Sequence, residues 1–272
     1  MIQAQLHTRL NGATGFRLTD RDALLLRDLY DSLVLSFTQV QARHFPGAAH
    51  STVVNRLTRL KQAGLIWSNR VGLVIHHGIE KEIGVVYRIS RRGLQKLAEL
   101  HPDAHFRESP MPINSASLVH DLLLTDTVTA LKKRFPDARF VNGRLLQGNS
   151  MKTARVPDAV LATTLPSERW AVELELSVKS ARRYREIITS YRLSREYEKV
   201  LYVVGRRAIA ETIQSQLLGF DVARSRTQQA TGKFYFANLH ELLASPAAIE
   251  VANTTRPGPS ALSTTSNKGG ES

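Results

Sequence analysis

Cysteine is absent from all 272 residues, which excludes a disulfide framework and any thiolate metal site. No apolar run approaches the roughly 18 residues of a membrane-spanning helix, and residues 1–9 lack the apolar centre of a secretion signal. There is no G-x-x-x-x-G-K-[ST] loop for a nucleotide-driven motor and no glycine-rich dinucleotide loop. These absences predict a cytoplasmic chain that does not enter a membrane. Acidic side chains are also scarce, 24 against 37 lysines and arginines.

What is present is a hydrophobic content of 42%, typical of a soluble globular protein. The length holds one large domain or two ordinary ones. The formal charge of +13 is spread over both halves: residues 1–110 carry 15 basic and 9 acidic side chains, and residues 111–244 carry 20 and 13. Two independently basic segments are how phosphate-binding proteins present themselves. A generally basic soluble protein is the bland alternative.

The first half reads as a winged helix-turn-helix over residues 18–100. Thr19-Asp20-Arg21-Asp22 is a helix start, with an N-cap candidate and acids in the first turn. Leu24, Leu25, Leu29, Leu33 and Val34 continue at helical spacing. Residues 37–45 predict a short second helix that Pro46-Gly47 breaks. A third runs from about Ser51, with Val54, Leu57 and Leu60 apolar, to a glycine stop at Ala63-Gly64. Its other face carries Thr52, Asn55, Arg56 and Arg59, groups suited to bases and phosphates. Leu65-Ile66-Trp67 starts a strand, residues 72–76 and 84–89 predict the two strands of a wing with His76-His77 in it, and Ser90 caps a closing helix. DNA is the expected ligand, although such domains also mediate protein contacts.

Residues 101–113, with Pro102, Pro110 and Pro112, read as a linker, and residues 245–272 as a disordered tail rich in small and polar residues. Residues 114–244 between them alternate helix and strand, a mixed α/β core with helices over a central sheet. A helix opens at Asn114-Ser115, followed by strands near residues 139–146, 155–163 and 169–176. A helix over 179–191, a strand over 199–204, a helix near 208–218 and a strand near 234–237 complete the segment. The unbroken apolar run at 200–204 suits a strand buried on both faces.

Carboxylates cluster on two of these strands. Asp158 follows Pro157, and Glu173 and Glu175 lie one residue apart in the next strand. Alternation puts those two on one face, about 7 Å apart, with Trp170, Val172, Leu174 and Leu176 on the other. Asp158, Glu173 and Glu175 are candidate ligands for Mg²⁺ or Mn²⁺, and Lys179 is a candidate to supply positive charge to a phosphate. The ordinary alternative is a solvated strand face on which the glutamates pair with Arg182, Arg183 and Arg185. Those arginines are themselves candidate phosphate contacts. Tyr184 and Tyr191 share a helical face, where core packing is the commoner role. His120 lies near an apolar stripe and reads as a hydrogen-bonded core histidine.

Pro157-Asp158-Ala159, the run Val172-Glu173-Leu174-Glu175-Leu176-Ser177-Val178-Lys179-Ser180, Arg182-Arg183-Tyr184 and Tyr191 resemble the replication-relaxation family, which includes MobC-type plasmid mobilisation relaxases. His120-Asp121-Leu122 and the winged helix fit as well, so the resemblance covers roughly residues 18–240. It implies a restriction-endonuclease-like PD-(D/E)xK domain behind the winged helix. It also implies metal-dependent nicking of DNA in mobilisation or replication initiation. Expected partners are DNA and, with it, other relaxosome or replication proteins; no membrane is expected, and a second copy of the chain stays open as a further partner. In the usual pattern the lysine stands two positions after the second acid, where this chain has Glu175; Lys179 lies further on. A relocated lysine or a degenerate, non-catalytic DNA-binding fold both accommodate that departure.

Overall fold

A computed structural model describes residues 16–76, 79–106, 115–146, 155–164, 167–223, 233–245 and 252–253. His77, residues 107–113 of the expected linker and Asn114 at the expected helix start lie outside them, as does most of the expected tail. The described residues form a mixed α/β structure with two sheets and nine α-helices. No helix among them is long and apolar enough to cross a membrane.

Helix α1, Asp20–Ser32, begins in a capping box: the Thr19 hydroxyl accepts from the Asp22 N–H, and Asp22 accepts from the Thr19 N–H at 2.7 Å. Its buried stripe is Leu25, Leu26 and Leu29. Leu24, expected in the core, is 65% exposed because it lies about 100° round the helix from Leu25. Leu33, also expected in the stripe, instead ends the helix at φ +66°. Strand β1, Leu35–Ser36, leads into α2, Phe37–His44, where Ser36 and Gln39 form a second capping box.

Helix α3, His50–Gln62, buries Val53, Leu57 and Leu60, leaving Val54 outside the expected stripe. It stops in a Schellman motif: Leu65 N–H bonds Leu60 C=O, Gly64 N–H bonds Lys61 C=O, and Gly64 takes the left-handed φ of +72°. The expected separate strands merge into one long hairpin, β2 (Ile66–His76) against β3 (Ile79–Ile89), with β1 on the far side of β3. Helix α4, Arg91–Leu100, is capped by Ser90 as expected.

The second sheet has the order β4-β5-β6-β7-β8-β9. Its strands are β4 (Arg139–Asn142), β5 (Ala159–Ala162), β6 (Arg169–Glu175), β7 (Lys199–Val204), β8 (Phe234–Asn238) and β9 (Ala252–Asn253). Pairs β4–β5, β5–β6 and β8–β9 are antiparallel, and β6–β7 and β7–β8 are parallel. The strand expected over 139–146 stops at Asn142, whose side chain caps the next turn at the Arg144 N–H, and residues 143–146 form the short helix α6. Strand β9 comes from the segment expected to be a disordered tail.

Helices α5 (Leu118–Arg134) and α9 (Leu239–Ala244) cover one face of this sheet, packing Leu124, Leu131, Leu239 and Leu242 on Trp170, Val172 and Leu174. Helices α7 (Ala181–Leu193) and α8 (Arg207–Ala223) cover the other, packing Tyr184, Ile187, Tyr191, Ile209 and Ile213 on Ala171, Tyr202 and Phe236. The β7 run is buried on both faces, as its composition predicts. Helix α5 also faces the first sheet: Leu118, Val119 and Leu122 share a cluster with Val34, Ile83 and Val86. Gln39 of α2 donates across the same boundary to Leu122 C=O (2.9 Å) and Asp126 (2.7 Å).

Candidate functional site

The site lies where β5 and β6 part. Their pairing begins at Ala159 opposite Val172, so Leu174, two residues further along β6, has no β5 residue beside it. Asp158 and His120 take the place of that missing strand. Asp158 Oδ2 accepts the Leu174 N–H at 2.8 Å, and His120 Nε2 lies 3.2 Å from the Leu174 carbonyl oxygen and 3.3 Å from the same Oδ2. The backbone at Asp158 is held by Gly143, whose N–H bonds the Asp158 C=O at 2.8 Å. A Cβ on Gly143 would fall 1.7 Å from the Pro157 carbonyl oxygen, so no other residue fits there.

Glu173 and Glu175 share the α7 face of β6, as alternation predicts, at 3% and 2% exposure. Their partners differ. Glu173 accepts from Arg155 Nε at 2.9 Å and from the Tyr191 hydroxyl. Burial, and next the Asp158 charge, push its carboxyl up to about 7, against the opposing pull of Arg155 and Tyr191. Glu175 binds Lys179 Nζ; burial raises its carboxyl and Lys179 opposes the shift. Lys179 stands in the turn before α7 rather than in the helix.

Burial works to raise Asp158 too, but the His120 hydrogen bond and charge, the Leu174 N–H and Lys179 outweigh it and hold the carboxyl below its ordinary range. For His120, burial disfavours the charged ring; hydrogen bonds and charges from Asp121 and Asp158 prevail and raise it to about 10. Asp121 is in turn tied to Arg144 at 2.9 Å and to the Ser117 hydroxyl at 3.1 Å.

Of the four expected site residues, Glu175 and Lys179 pair at the end of β6, the Asp158 charge acts on both glutamates, and Glu173 is held in a buried network with Arg155 and Tyr191. Tyr184 and Tyr191 are fully buried. The Tyr184 hydroxyl meets Ser177 C=O and the Lys179 N–H, and that of Tyr191 meets Glu173, so both pack in the core. On α3, Thr52, Asn55 and Arg59 are exposed. Arg56 is not free in the same way: it pairs with the buried Asp22, donates to Arg17 C=O at 3.0 Å and lies over the Phe16 ring. Arg182 and Arg183 are exposed on α7 and pair with Glu186, while Arg185 donates to Gln216.

Two site residues escaped the sequence. Arg155 stands two positions before Pro157, where nothing marks it as the partner of Glu173. His120 reads as a core histidine from its apolar neighbours; the adjacent Asp121 was the available signal, since a carboxylate beside a histidine orients the ring.

Among the described residues no three His, Cys, Asp or Glu side chains gather closely enough to hold a metal ion together. The donor chemistry still fits Mg²⁺ or Mn²⁺ in a reduced form. A magnesium ion that also binds phosphate commonly takes one or two carboxylates and several waters. Asp158 and Glu175 supply two, and their second oxygens, Oδ1 and Oε2, have no hydrogen-bond partner among the described residues.

A family model described as replication-relaxation matches residues 26–201. The chain belongs to the replication-relaxation family. No curated protein and no solved structure matches it. The span matched in this replication-relaxation protein runs from α1 into β7 and contains His120, Asp158, Glu173, Glu175 and Lys179 as well as all of α3. Membership points to replication or mobilisation of plasmids and other mobile elements.

Proposed function

We propose that this replication-relaxation protein binds DNA in the cytoplasm at a specific site of a plasmid or mobile element and nicks it with a divalent metal ion. The observation that carries the reading is the Glu175–Lys179 pair at the end of β6 with the Asp158 carboxylate fixed on Leu174 of the same strand, their charges acting on one another, in a basic half of a basic chain. The first half acts as a winged helix-turn-helix. Its exposed α3 face, with Thr52, Asn55 and Arg59, reads bases and phosphates, and the β2–β3 hairpin is the wing. Arg56 supports that face from behind through Asp22. The second half is a nuclease-like core, with Arg182, Arg183 and Arg185 of α7 lying along the phosphate backbone.

Asp158 and Glu175 would hold the ion. When bound, Mg²⁺ or Mn²⁺ neutralises charge on the scissile phosphate and activates the attacking hydroxyl or water. Lys179, displaced from Glu175 towards the phosphate, adds a second positive charge beside the oxygen that becomes more negative in the transition state. Glu173 keeps Arg155 and Tyr191 in place beneath the site.

Supercoiled plasmid bearing the cognate origin tests the reading. Wild-type protein with Mg²⁺ or Mn²⁺ should convert it to open circles, and Asp158→Asn and Glu175→Gln should abolish conversion while DNA binding persists. Intact plasmid under every metal, with wild type bound, contradicts nicking. One observation favours a second reading, a non-catalytic DNA-binding regulator or relaxosome accessory: every acid of the site already has a basic partner, Arg155, His120 or Lys179. Full biological activity after alanine substitution of Asp158, Glu173, Glu175 and Lys179 together decides for it.

A further inference from the structure

We propose that His120 is a positioning residue for the Asp158 carboxylate, a role that rests on the phosphate chemistry proposed above. His120 is the third residue of α5 and reaches the sheet where strand pairing has failed. Its Nε2 answers the Leu174 C=O at 3.2 Å, and Asp158 Oδ2 answers the Leu174 N–H at 2.8 Å. Imidazole and carboxylate close around one residue of β6 much as a neighbouring strand would, and they touch each other at 3.3 Å. Oδ2 is thereby immobilised and Oδ1 is left as the oxygen for external chemistry.

The ring is itself held from behind. Nδ1 lies 3.8 Å from Asp121 Oδ1, and Asp121 is anchored by Arg144 and Ser117. A carboxylate on one nitrogen sets the ring's orientation for the group on the other. A histidine that merely filled the core would not have both nitrogens directed at carboxylates with its side chain 21% exposed.

The Leu174 amide reports this arrangement directly. In full-length protein labelled with ¹⁵N-leucine, Leu174→Met identifies the resonance and Asp158→Ala gives its position without the carboxylate. In His120→Ala the resonance should move towards the Asp158→Ala position. Origin nicking should slow about 10- to 100-fold with unchanged DNA affinity, and His120→Gln, which can still donate to Leu174 C=O, should lose less. A Leu174 resonance left at its wild-type position in folded His120→Ala and His120→Gln overturns the proposal, as does a moved resonance with an unaltered nicking rate. Should His120→Ala fail to fold, His120→Gln carries both readouts. Should wild type fail to nick, the functional reading falls, and the amide alone then decides whether His120 orients Asp158.

Discussion

Taking one partner away from a buried ion pair leaves an uncompensated charge, at a cost of about 3–5 kcal/mol. Glu173 is in that position, with Arg155 and the Tyr191 hydroxyl both depending on it. Glu173→Ala should therefore lower the unfolding free energy by about that amount, read by urea denaturation. Glu175→Gln should cost roughly 1 kcal/mol or less, because Lys179 is 37% exposed and can turn to solvent. Equal losses in the two variants would contradict the division of labour between the two glutamates. The sequence was legible here up to a point. Alternation put Glu173 and Glu175 on one face. Which of them belongs to the core depends on Arg155 and Tyr191, each 18 residues away, and periodicity carries no information about that distance. Arg56 repeats the lesson: its helical face was readable, its partner Asp22 was not.

Helix α5 is buried nearly all round because it serves two sheets, with Leu118, Val119 and Leu122 against the first and Leu124 and Leu131 against the second. Its apolar spacing predicts a helix, but spacing says which residues are buried and not against what. The segment before it therefore reads as a linker between separate domains although α5 itself joins them. A similar limit applies to residues 139–146. Their apolar character suggests one strand, but the close approach of Gly143 to Pro157 turns the chain after Asn142. The polar attachments of α5 are Gln39 at the first sheet and His120 at the second, and the latter should make the stability of that docking depend on pH. His120 is raised from 6.5 to about 10, so folding favours its protonated form. The contribution is complete below about pH 6.5 and is lost as pH rises towards 10. In urea denaturation the stability gap between wild type and His120→Gln should shrink across that range by on the order of 2–4 kcal/mol. A gap that is constant or widens with pH would show that the ring is neutral in the folded protein.

For the molecule as a whole, the net charge of +13 lies in both halves, and the shared cluster around Val34, Val86, Val119 and Leu122 packs those halves together. The mixed α/β class and the family were legible from element order and the acidic motif. The docking of one half on the other was not, because it rests on contacts between residues some 80 positions apart, such as Gln39 with Leu122. That docking ties the exposed face of α3 to the ends of β5 and β6, so the DNA recognition and cleavage proposed for these two places should have one fixed spacing. Mapping both on the same origin fragment is the most direct test: a footprint for bound protein and primer extension for the position of the metal-dependent nick. A single nick at a constant distance from the α3 footprint is expected, lost in Glu175→Gln while the footprint remains. A footprint with no nick, or with nicks scattered along the fragment, would contradict it.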